Sequence, residues 1–286
     1  KFTSIQRSTD APANFINSVE YTSASSYSVL ANDFFSHEQA IEGYTAAHLG
    51  WGTANAKDVT LSFWVKSSLT GTFGGALYSG TGSYGYPFSY TISSANTWEQ
   101  KSVTIIAPTS GTFATDNTKS FNVCFSLGMG SDYKFAAGSW QSQVVRSATG
   151  ETSLVGTSGA TWYITGVQLE VGETATPFEH RSFGDELARC QRYYNRSGTK
   201  NIEGYQGLTG FVRGVTVPYS FPVEMRATPT RITITQGTMV NVRGSSTSYA
   251  GILAVNKYGG SAQVETNNAT GKFQYVGFEE AFDAEL

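Results

Sequence analysis

Apolar and polar residues alternate along most of this chain with a period near two, and one stretch departs from that rhythm. Val59, Leu61, Phe63 and Val65 alternate with Thr60, Ser62, Trp64 and Lys66, which predicts a strand with one face in a core and Trp64 pointing out of it. Phe121, Val123, Phe125 and Leu127 repeat the pattern ahead of Gly128-Met129-Gly130. Trp162, Ile164, Val167 and Leu169 predict a strand over Thr161 to Glu170, with Gly166 interrupting the alternation where a bulge would fit. Tyr90 to Ile92 and Trp98 to Ile106, joined through Ser93-Ser94-Ala95-Asn96, read as a hairpin with a polar turn. Lys1 to Ser36 holds one or two early strands, and His37 to Ile41 continues the first sheet. Ser131 to Ser158 has no clear period and reads as an irregular insertion or a functional loop.

The departure comes at Ser182. With Asp185 three residues on, this serine forms a capping-box-like pair, and Asp185 and Glu186 lie in the first turn, where the helix dipole favours negative charge. Arg189 and Arg192 suit the other end. Phe183, Leu187, Cys190 and Tyr194 follow at helical spacing and share one face of a helix of about 18 Å, a face that must be buried against something. Beyond it the β style returns. Phe211 to Val217, Met225 to Thr235, Met239 to Val242, Gly251 to Asn256 and Phe273 to Phe278 are candidate strands, and Pro218, Pro222 and Pro229 sit at strand ends or edges.

Many short strands without βαβ alternation predict an all-β protein built on β-sandwiches. With 286 residues, two domains of ordinary size are expected. The balance of 19 Lys and Arg against 22 Asp and Glu, with no basic run, argues against a nucleic-acid partner. No apolar run reaches the roughly 18 residues of a membrane span, so no membrane insertion is expected. Cys124 and Cys190, one in a predicted strand and one in the helix, suggest buried free thiols rather than a disulfide framework.

Few motifs carry chemistry. Gly80-Thr81-Gly82-Ser83-Tyr84-Gly85 has the spacing of a dinucleotide fingerprint but lacks the helix that must follow, since Tyr86-Pro87 come next. Gly156-Thr157-Ser158-Gly159-Ala160 is no nucleophile elbow. His37, His48 and His180 have no metal-ligand partners at short spacing. No cofactor is expected, although oxygen-rich loops leave room for a structural calcium. What remains is recognition. An exposed aromatic beside Asn, Asp or Ser can stack on the apolar face of a sugar and hydrogen-bond its hydroxyls. Tyr84 and Tyr86 in a Gly-rich loop, and Tyr249 and Tyr258 near Asn256 and Lys257, offer this, against the commoner alternative that such aromatics are core.

The segment ITGVQLEVGETATPFEHRSFGDELARCQRYY resembles one found repeatedly in bacteriophage tail-fibre and related virion proteins, where a carbohydrate-binding-module-like jelly roll ends and a short helix leads to a tip domain. Upstream, QAIEGYTAAHLGWGTANAKDVTLSFWVKSSLTGTFGG and NTWEQKSVTI resemble the same jelly roll, and downstream FPVEMRATPT and the ending DAEL resemble fibre tips. The resemblance implies a jelly roll over residues 1–181, a linker helix over 182–195 and a smaller β-sandwich tip over 196–286. It further implies a non-enzymatic homotrimer in the virion, assembled in the bacterial cytoplasm, with other tail proteins and a bacterial surface glycan as partners. Phe183, Leu187, Cys190 and Tyr194 would then pack near the three-fold axis, with docking on the chain's own jelly roll as the competing use of that face. Two other readings stand beside it: a purely architectural virion protein, such as a capsid fibre or tail adaptor, and the binding module of a glycan-degrading enzyme.

Overall fold

The computed structural model describes the backbone of residues 1–196, 200–206, 213–235, 238–240, 248–266 and 271–285, and the side chains of 1–196, 220–230, 232, 255–259 and 281–285. The chain is all-β: a jelly-roll sandwich, a short helix and a second, smaller β-sandwich. It divides into two compact units, Lys1–Glu179 and His180–Glu285.

The first unit contains β1 (Phe2–Ser8), β2 (Ser18–Ser23), β3 (Phe34–Glu42), a turn of helix α1 (Gly43–Ala46), β4 (Val59–Ser67), β5 (Gly71–Ser79), β6 (Gly85–Ile92), β7 (Glu99–Ile105), β8 (Lys119–Met129), the two-residue strands β9 (Lys134–Phe135) and β10 (Ser147–Ala148), and β11 (Thr161–Val171). One antiparallel sheet has the order β1-β2-β11-β4-β7 and the other β3-β8-β5-β6. The alternating residues of β4 and β8 meet between them: Val59, Leu61, Phe63 and Val65 are fully buried, and Phe121, Phe125 and Leu127 are nearly so. Trp162 is 0% exposed and donates its indole N–H to the Tyr90 hydroxyl at 3.3 Å. Each such large side chain contributes roughly 1.5–3 kcal/mol of burial. At Gly166 the β11 register against β4 shifts between Thr165 and Gln168, and the glycine takes φ +60°, so the expected bulge is present.

The expected hairpin between Tyr90 and Ile106 is not formed. β6 pairs with β5 in the four-stranded sheet and β7 with β4 in the other, so Ser93 to Asn96 carries the chain from one layer across to its partner. Its polar residues signal a reversal, but the same turn chemistry serves a crossing between sheets as well as a hairpin. Both strands then present isoleucines, Ile92 and Ile105, to one core.

Part of the aperiodic Ser131 to Ser158 forms a roof over the outer face of the four-stranded sheet, while Leu154 and Trp140 join the core between the sheets. Val145, with Tyr133 and Phe135, packs on Ala76, Tyr78, Cys124 and Met129. Glu151 ties the roof down by accepting from the Met129 N–H at 3.0 Å and from the Ser147 hydroxyl, and its burial raises the carboxyl pKa. A Cβ on Gly74 would strike that serine, so β5 needs glycine there.

In the second unit, Ser182 caps helix α2 (Phe183–Gln191), its hydroxyl accepting from the Asp185 N–H at 3.2 Å and donating to the Asp185 carboxylate at 2.6 Å. The helix is shorter than its apolar spacing suggests. The chain turns at Arg192, and Tyr194 lies in β12 (Tyr194–Arg196), paired with β19 (Gly271–Asp283). β12 and β13 (Lys200–Gln206) line one edge of β19, and β15 (Thr230–Thr235) and β16 (Thr238–Val240) line the other. The second sheet has the order β14 (Arg213–Ser220), β18 (Gly259–Thr266), β17 (Ser248–Asn256), with Pro218 on its edge strand as expected. Phe282 and Met225 are fully buried and pack with Phe221, Val255 and Ala284. The predicted strand starts and ends at 211–212 and 241–242 lie outside the described residues.

Candidate functional site

The outer face of the five-stranded sheet sets a partly open aromatic residue among polar ones. Because β4 alternates cleanly, Trp64 projects outward from a central strand, opposite Thr165 of β11 on one side and Gln100 of β7 on the other. Ser62 stands next along β4, opposite Gln168 and Ser102. Trp64 is half-buried, its indole N–H makes no hydrogen bond among the described residues, and its neighbours across the strands carry hydroxyls and amides.

Beside it stands a charged aromatic box. Lys66, two residues along β4, pairs with the Asp10 carboxylate, and the Trp98 indole N–H donates to the other Asp10 oxygen at 2.9 Å. The Lys66 ammonium lies 4.3 Å from the Tyr163 ring centroid and 5.5 Å from that of Trp98, within reach of both π faces. Trp98 and Tyr163 meet edge to face, with centroids 6.1 Å apart. The hydrogen bond from Lys66, reinforced by that from Trp98, holds the Asp10 carboxyl below the ordinary carboxylate range. Trp98 thus belongs to a polar cluster and not to the core.

Such a face can stack on an apolar ring, hydrogen-bond hydroxyls and hold one buried cation in place. Among the described residues no group of three or more His, Cys, Asp or Glu could hold a metal ion.

The residues singled out from the sequence lie elsewhere. Tyr84 at the end of the β5–β6 turn and Tyr86 at the start of β6 enter an aromatic cluster: Tyr84 stacks on Trp140 at 5.1 Å and 11°, while its hydroxyl meets Ser110 at 3.1 Å. A Cβ on Gly111, at φ +93°, would come within 2.7 Å of the Tyr84 ring, so this loop closes on the tyrosine. Tyr86 is 5% exposed, a core residue with too little surface to stack on a sugar. Asn256 and Tyr258 come together at the β17–β18 turn, where the Asn256 side chain accepts from the Tyr258 N–H at 2.8 Å. Tyr258 is 59% exposed, with Lys257 4.9 Å over its ring and paired to Glu224 at 2.6 Å. Tyr249 lies in β17, and its side chain is outside the described residues. On α2, Phe183 is 81% and Leu187 42% exposed, and Tyr194 of β12 is 40% exposed. Cys190 is exposed, contrary to the expected burial, because it sits on this uncovered face; Cys124 is buried and free, as expected.

The site that the sequence reading passed over was signalled by the β4 alternation itself, which already turned Trp64 outward. The Asp10–Lys66–Trp98 box, whose partners are 56 and 88 residues apart, had no such signal.

No protein family and no curated protein matches the chain. Solved structures with a partial likeness to the chain include the following three. One is described as "CBM4 structure and function", at 12% identity and TM-score 0.31, covering 58% of this chain and 88% of the other. Another is discoidin II of Dictyostelium discoideum, at 9% identity and TM-score 0.25, covering 98% and 87%. A third is the N-terminal CBM22-1–CBM22-2 tandem of Paenibacillus barcinonensis Xyn10C, at 8% identity and TM-score 0.29, covering 99% and 89%. At such identities and scores none of them bears on what the chain binds or does, and the fold rests on the strand pairing described above.

Proposed function

We propose that the jelly-roll unit binds a carbohydrate on the outer face of its five-stranded sheet, and that the chain is the distal, host-facing part of a phage tail fibre, a non-enzymatic homotrimer that attaches to a bacterial surface glycan. The observation that carries the glycan reading is Trp64: a half-buried indole with no hydrogen bond among the described residues, set opposite Thr165 and Gln100 on the outer face of the sheet. The fibre assignment is supported by the resemblance of residues 164–194 and their flanks to virion proteins. Binding per site is weak, and three copies held together raise the effective concentration enough for firm attachment.

The test is binding of the purified chain to an array of bacterial surface glycans, with Trp64→Ala in parallel. Saturable binding that weakens about tenfold or more in the variant supports the reading, since loss of one stacking anchor of ~1.4 kcal/mol is tenfold. Binding indifferent to Trp64, or no binding to any glycan, rejects it. A second reading, the architectural virion protein, draws on the exposed Phe183 and Leu187 of α2, which suit a protein partner. It predicts a trimer by light scattering together with no adsorption to cells.

A further inference from the structure

The two sheets of the jelly roll are not sealed along the edge where β1 and β3 face each other. Phe2 closes one end of this edge, edge-on to Tyr21 at 5.3 Å and to Phe35 at 6.3 Å. Past that plug, a depression of about 520 Å³ opens toward the core. Its walls include Ile5, Val19, Ile164 and Val167, together with Arg7 and His37. The strand register puts the first residues on one face: Ile5 lies opposite Tyr21, Arg7 opposite Val19, and Val19 opposite Ile164. The depression therefore has an apolar floor that is part of the sandwich interior. Ile164 at its base is 2% exposed, while Ile5 at its lip is 59% exposed although it faces inward.

The lining also holds the uncharged polar residues Gln6, Asn17, Ser18 and Thr165, and its ionisable groups are Arg7 and His37. Arg7 is exposed and makes no ion pair or hydrogen bond among the described residues. His37 has its Nδ1 engaged by the Tyr21 hydroxyl at 2.8 Å, which leaves Nε2 as the ring nitrogen available to the cleft. No aspartate or glutamate lines the depression. An apolar slot with one unpaired cation at its lip and no acid in its walls is complementary to a ligand with an aliphatic body and an anionic head.

We propose that this edge cleft binds a small amphipathic carboxylate, its chain lying against Ile5, Val19, Ile164 and Val167 and its head at Arg7, with His37 as a second polar contact. The cleft borders the Trp64 face at Thr165, which lines it and stands opposite Trp64, but its proposed ligand contacts do not include Trp64 and it does not rest on glycan binding there.

Titration calorimetry of the whole chain with octanoate, and with octanol as the uncharged counterpart, tests it. The expected result is one saturable octanoate site. Arg7→Gln should weaken octanoate about tenfold or more while leaving octanol unchanged. Ile5→Asp, a change at an exposed position that puts a carboxylate in the slot, should abolish both, and Trp64→Ala should affect neither. Absence of saturable octanoate binding overturns the proposal. So does binding that is unchanged in both Arg7→Gln and Ile5→Asp, or octanoate binding no tighter than octanol and insensitive to Arg7, which would make the cleft a mere seam in the sandwich.

Discussion

The two sheets of the jelly roll give one face each to the same core and treat their other faces differently. On the four-stranded sheet the outward residues of β5 and β8, among them Ala76, Tyr78 and Cys124, are buried again beneath Tyr133, Phe135 and Val145. On the five-stranded sheet the outward positions of β4, β7 and β11 carry Trp64, Gln100, Ser102, Tyr163 and Thr165, and the aromatic residues stay partly open. Strand periodicity tells which side chains leave the first core, but whether they enter a second one depends on a segment remote in sequence. An outward tyrosine on one sheet is therefore structural, while an outward tryptophan on the other is available for contact.

This contrast can be broken by substitution. Trp162→Ala, in the layer that both sheets share, should lose about 3–5 kcal/mol in urea unfolding, the largest effect of any single change considered. Met129→Ala, beneath the roof and 2% exposed, should lose about 2–5 kcal/mol if that outer face is a true core. A loss under about 1 kcal/mol would show that the roof is only loosely applied. Trp64→Ala should move stability by no more than about 1 kcal/mol, and a larger loss would place Trp64 in a third packed layer. Thiol chemistry reports the same difference without altering the fold. Cys190 should react with an aromatic disulfide reagent in the native protein, whereas Cys124, whose thiol burial pushes well up in pKa, should react only on unfolding.

The smallest effects come from titration. His37 faces inward from β3, and its burial lowers the pKa, against a weaker opposing pull from Glu38. The folded state binds its proton less readily than the unfolded chain, so stability falls as pH drops below about 6.5 and levels off under the lower folded value. Asp10, on the open face, has its pKa lowered by Lys66 and Trp98, so its contribution is present above about 3.9 and is lost as pH falls through the lower folded value. Added salt should weaken the Asp10 contribution somewhat and leave that of His37 in place, because only the first rests on a charge pair, one whose carboxylate end is open to solvent. Unfolding midpoints against pH at two ionic strengths separate them.

Much of this architecture was legible in the order of residues. The β4 and β8 alternation placed the core correctly and turned Trp64 outward, Gly166 marked the bulge, and Ser182 with Asp185 marked the start of α2. Local signals failed where the outcome depended on distant chain. Ser93 to Asn96 announced a turn but could not announce that β6 and β7 belong to different sheets. Tyr194 continued the helical spacing, yet pairing with β19, almost ninety residues on, drew it into a strand. Nothing near Trp98 in sequence indicated its partners Asp10 and Lys66. Tyr86 looked like a loop aromatic because the adjacent glycines hid the start of β6.

One pairing has a consequence for how the chain must be made. β2 and β4 never touch each other within the five-stranded sheet; β11 lies between them, about 140 residues after β2. A ribosome that has delivered everything up to Ser158 has produced both flanking strands and no middle. Until the last 11-residue piece arrives, the β1–β2 ribbon has no sheet to join, and the hollow that Trp162 will fill stands open to water. Closing so long a loop costs entropy that only the completed layer offsets. Fragments ending short of Val171 should therefore be sticky and poorly folded, however much of the rest they contain.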